Sequence, residues 1–126
     1  MLFRSKRETA REILRRGLLQ DSLRIPHQAL LEFVAVVTRP LSDGKFLLPR
    51  EEAWRQTEDL MAEFQVLYPD AQVVRTALRG MAAYQLSWFD AHLWAYAEHY
   101  GLPEIISEDF EHGRLYGKVR VRNPFL

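Results

Sequence analysis

Apolar positions recur along the chain at two spacings, and the alternation between them predicts the elements. Between Arg7 and Leu19, apolar residues fall at Ala10, Ile13, Leu14 and Leu18, the three-and-four spacing of a helix. Lys6, Arg11, Arg15 and Arg16 lie off that face, and Gly17 is expected to weaken its end. Ser22–Pro26 alternates through Leu23 and Ile25 as a short strand closed by proline. His27–Thr38 is almost continuously apolar and too long for an ordinary strand, so it predicts a buried helix. Pro40 and the Ser42-Asp43-Gly44 turn close it.

Pro49 opens a further helix with Glu51 and Glu52 in its first turn, where the helix dipole favours negative charge. Ala53, Trp54, Leu60, Met61 and Phe64 form its apolar side. Val66–Tyr68 predicts a brief strand. Asp70 caps a helix running through Val73, Val74, Ala77, Leu78 and Met81. Ser87 starts an aromatic-rich helix that stops at Gly101. Glu104–Ser107 predicts a strand, Glu108–Gly113 a turn-rich piece, and Lys118–Arg122 a last strand with Val119 and Val121 set against three basic residues. Helices between short strands imply one α/β domain over residues 1–126, three-layered, with a mainly parallel sheet.

Composition narrows the function classes. Seventeen basic residues balance seventeen acidic ones, which excludes a strongly basic, salt-driven nucleic-acid binder but not an enzyme with a local RNA path. The chain has no cysteine, so disulfides, thiolate catalysis and zinc–thiolate sites are excluded. That fits a cytoplasmic protein. No apolar run reaches the roughly 18 residues of a membrane span, and no signal peptide is visible.

Three carboxylates occupy unusual positions. Glu32 sits within the most apolar helix, where an unpaired buried carboxylate would be driven toward its neutral form unless a cation stood near. A pairing arginine or a narrow polar stripe is the alternative. Asp90 follows Ser87 by three residues, as in a capping box. Asp109 follows an apolar strand, at the strand end where open parallel sheets bind ligands; an Asx turn is the alternative. Spacing alone does not choose among Glu108, Asp109 and Glu111. Together these acids describe hard oxygen ligands for Mg²⁺ or Mn²⁺.

Leu31-Glu32-Phe33 with the apolar residues after it, Leu86-Ser87-Trp88-Phe89-Asp90-Ala91, Ile106-Ser107-Glu108-Asp109-Phe110-Glu111-His112-Gly113, and the closing Val119–Phe125 resemble, in this order, the later motifs of PIN domains. The resemblance implies a metal-dependent ribonuclease of the VapC type, the toxin of a toxin–antitoxin pair. It implies Glu32, Asp90 and Asp109 as catalytic metal ligands for Mg²⁺ or Mn²⁺, and Ser107 beside them as a substrate contact. His112, next to the acidic cluster, is a further candidate substrate contact, a turn residue being the alternative. RNA and an antitoxin protein are the implied partners. A homodimer through the long apolar segments Ala29–Val37 and Trp88–Tyr96 is a further expectation.

Such domains begin with a central strand ending in aspartate, and no such strand precedes the first helix here. Met1-Leu2-Phe3-Arg4-Ser5 carries no acid and matches what a sequencing adapter would encode, so residues 1–5 are read as foreign to the gene. The expected domain therefore lacks its central first strand and has weak or no activity. The competing reading is a non-catalytic PIN-like module that binds RNA or protein.

Overall fold

The computed structural model describes residues 5–126, apart from the side chain of Arg7. Met1–Arg4, on which most of the foreign-leader expectation rests, lie outside the described residues. The chain is α/β with parallel strand pairing, and it groups into two compact units, residues 16–68 and residues 1–15 with 69–126.

In the unit of residues 16–68, the end of helix α1 (Lys6–Gln20) leads to strand β1 (Arg24–Pro26), helix α2 (His27–Val37), helix α3 (Arg50–Glu63) and strand β2 (Gln65–Leu67). β1 and β2 pair in parallel with Ile25 opposite Val66. Gly17 does not end α1. It is buried, and a Cβ there would stand 2.6 Å from the Cβ of Leu23, so it lets the chain fold back closely. The helix stops at Asp21, whose left-handed backbone allows the Ser22 amide to reach the Gly17 carbonyl at 3.1 Å. α2 packs on α3 and β1.

The expectation of a buried helix over residues 27–38 is corrected in one respect. The helix forms, but only Leu30 and Val37 are buried, and Leu31 is 59% exposed. A continuous apolar run reports hydrophobicity, whereas burial depends on what the neighbouring elements cover.

In the other unit, helix α4 (Ala71–Tyr84) pairs with helix α5 (Trp88–Tyr100), and a three-stranded sheet follows: β3 (Glu104–Ile106), β4 (Leu115–Tyr116) and β5 (Val119–Arg122). Asp70 starts α4 by accepting the Val73 amide at 2.9 Å, as its position predicts. Gly80 is where the two helices meet most closely; a Cβ there would lie 2.6 Å from the Trp94 ring. Trp94 then donates its indole N–H to the Tyr116 carbonyl at 3.0 Å, joining α5 to the sheet.

β5 lies between β3, to which it is parallel, and β4, to which it is antiparallel. The β4–β5 hairpin turns through Gly117-Lys118, and the positive φ of Gly117 supplies the twist such a two-residue turn needs. The basic residues of this region are held locally. Lys118 is in the turn, Arg122 bonds Glu104 at 3.1 Å, and Arg120 bonds the Gly113 carbonyl at 2.7 Å.

Candidate active site

Asp90 is placed by the start of α5. The Ser87 hydroxyl accepts the Asp90 amide at 3.1 Å, half of a capping box. The serine serves the amide, and the half-buried carboxylate of Asp90 has no hydrogen-bond or ion-pair partner among the described residues. First-turn side chains lean toward the helix start, where the dipole favours negative charge.

A second serine does the same for Asp109. Its hydroxyl, on Ser107, accepts the Asp109 amide at 3.1 Å, while the Ser107 amide extends the sheet ladder to the Arg122 carbonyl at 3.1 Å. The turn after β3 is thus built on the strand end. Its three acids differ in their partners. Glu108 pairs with Lys6 at 2.8 Å, and Glu111 with Arg114 at 3.3 Å. Asp109 is exposed and has no basic side chain beside it among the described residues.

α5 runs into β3 through a short loop at Gly101–Pro103 and packs against it, so helix and strand are antiparallel.

His112 accepts the Asn123 amide through Nδ1 at 2.9 Å. A backbone N–H can only donate, so the bond is made by the tautomer with its proton on Nε2, which leaves an N–H donor on an exposed ring. The same bond ties the acidic turn to the end of β5. Lys6 was not singled out from the sequence as a site residue; besides Glu108 it stands 5.2 Å from the centre of the Phe125 ring. Only its chemistry, a cation, was legible, since Glu108 lies 102 residues away.

Glu32 lies in the unit of residues 16–68 and is exposed, with the Gln28 amide donating to it at 3.2 Å. The expectation that it is a buried carboxylate is corrected: its side of α2 is left uncovered, so water solvates the charge and no compensating cation is required. Among the described residues, no three His, Asp or Glu side chains form a preformed metal cage.

No helix of the described residues is long and apolar enough to cross a membrane. The family model for PIN domains matches residues 2–118, which includes the Glu32, Asp90 and Asp109 motifs and ends just before β5. No curated protein matches the chain.

Proposed function

The chain belongs to the PIN-domain family, whose members are in general nucleases and typically depend on divalent metal, and from that premise we propose that it is an endoribonuclease of the VapC toxin type. In this reading Asp90 and Asp109 are carboxylates that hold Mg²⁺ or Mn²⁺. The ion would supply an activated water and charge stabilisation at the scissile phosphate. The chain's own groups do the rest. Ser107 keeps a hydroxyl hydrogen and His112 an Nε2–H, both suited to donate to phosphate oxygens. An antitoxin protein from a cytoplasmic pair would cover the site, and the exposed apolar side of α2 is the surface suited to that partner or to a second copy.

The observation that carries this reading is the difference among the acids of one turn. Glu108 and Glu111 each pair with a base, and Asp109 between them has no basic partner among the described residues. The test has two readouts. Mn²⁺ uptake followed by electron paramagnetic resonance is expected to fall at least tenfold in Asp109→Asn and in Asp90→Asn. Any RNA cleavage by the parent is expected to stop with EDTA and with either substitution. Undiminished Mn²⁺ uptake in both variants, or cleavage that survives EDTA, sinks the assignment.

A further inference from the structure

Helices α1 and α3 carry mirrored charge. α1 holds five basic and two acidic residues over Lys6–Gln20, and α3 holds five acidic and two basic residues over Arg50–Glu63. Each also leaves apolar side chains in water. Trp54 of α3 is 57% exposed and Met61 is exposed too, as are Leu14 and Leu18 of α1. Spacing lines these residues up with the charges. On α3, Glu51, Trp54, Glu58 and Met61 follow one another at three or four residues and form one stripe. On α1, Arg11 and Arg15 lie three residues before Leu14 and Leu18, so the two pairs run side by side. All of these residues are exposed. Within α3, Arg55 pairs with Glu52 and Asp59, and Glu51 and Glu58 stand outside those pairs. Arg15 pairs with Glu12 at 2.7 Å, a contact on the helix surface of a kind weak enough to yield to another carboxylate.

Single exposed apolar residues are ordinary on protein surfaces, and so are solvated charges. These differ because the two stripes answer each other. α1 laid on α1, or α3 on α3, sets like charges together. α1 laid on α3 sets arginines against glutamates and leucines against Trp54 and Met61. The chain itself thus supplies the helix that each stripe fits. We propose that α1 of one copy docks along α3 of a second copy, with Trp54 as the apolar anchor and Glu51 and Glu58 facing Arg11 and Arg15. The charges choose the partner and its orientation, and the buried apolar groups supply most of the affinity. The contact joins two different surfaces, which separates it from a self-complementary pairing through α2. It is independent of the nuclease reading.

The test is sedimentation velocity of the full chain over a range of protein concentrations. The parent is expected to self-associate in about 0.1 M salt, and its association constant to fall about tenfold in about 1 M salt, where charges are screened within about 3 Å. Trp54→Ala is expected to weaken association about tenfold. Two charge-reversed variants carry the main weight. One combines Glu51→Lys with Glu58→Lys, and the other combines Arg11→Glu with Arg15→Glu. Each gives α1 and α3 stripes of like sign, so each alone is expected to be monomeric. Mixed together, every α1 stripe again finds an α3 stripe of opposite sign, and association is expected to return to within about threefold of the parent. Two chains damaged in folding would not rescue each other, so this readout separates docking from a structural role. The proposal is overturned if the parent stays monomeric, which would leave the stripes to a foreign chain. It is overturned if either charge-reversed variant associates as the parent does, which would move self-association to another surface, that of α2 included. It is also overturned if the mixture of the two variants fails to associate.

Discussion

Helices α2 and α5 are both rich in apolar residues, yet their environments are opposite. α5 buries Ala91, Trp94, Ala95, Tyr96 and Ala97, whereas α2 buries Leu30 and Val37 alone. α5 is enclosed within its own unit, by α4 on one side and by β3 and β5 on another. In its unit α2 has α3 and β1 as neighbours. The ends differ too. Ser87 caps α5 with a side-chain hydrogen bond, while α2 starts after Pro26 with none. Hydrophobic content thus states what a helix can bury, and the small residues of its neighbours decide what it does bury. Gly80 is the clearest case, since a single Cβ there would collide with Trp94.

The largest test of this contrast is at the centre of α5. Trp94 is buried, supports the rings of Tyr84 and Gly80's close approach, and bonds the Tyr116 carbonyl. Trp94→Ala is expected to cost about 3–5 kcal/mol of folding stability, measured by urea denaturation. A cost below about 1 kcal/mol would show that α5 is not the organising helix of its unit.

A smaller effect is expected at the start of α4, which α5 touches through His99. The Val73 amide holds the Asp70 carboxyl below its usual range; partial dehydration opposes this, and His99, 3.5 Å away, assists it. For a carboxylate lowered on folding, the stabilisation is complete above its ordinary value, about 4, and is lost as pH falls through the lowered one. The melting temperature of the parent should therefore exceed that of Asp70→Asn at neutral pH, and the margin should narrow as pH falls below about 4. A margin that fails to narrow there would contradict the cap assignment.

The smallest effect belongs to α2. Leu31→Ala is expected to change stability by no more than about 0.5 kcal/mol, because the side chain already stands in water. A loss above about 1.5 kcal/mol, or one that depends on protein concentration, would mean that this side of α2 is covered in solution, and the contrast with α5 would fail.

What could be read from the sequence followed the range of the forces involved. Pro49, Asp70, Ser87 and Gly101 mark helix ends through chemistry confined to a few neighbours, and the elements begin and end where these residues stand. β4 was missed because two residues carry no periodicity; only Gly117 hinted at its hairpin. Asp90 and Asp109 are found in the settings their motifs suggested, a helix start and a strand end. The exposure of Glu32 was not legible, since it depends on what α3 and β1 fail to cover. Nor was the neutralisation of Glu108, which comes from a lysine at the other end of the chain. The exposed rings of Trp88 and Phe89 were hidden in a run that reads as core.

Ser87 and Ser107 each spend their oxygen on the backbone amide of an acid a few positions downstream. Two aspartates from different elements are therefore oriented by one device, borrowed from turn-making rather than from any bond to the acids themselves. Replacing either serine by alanine would leave every charge in place and remove only the hydrogen bond that holds the local backbone around each acid.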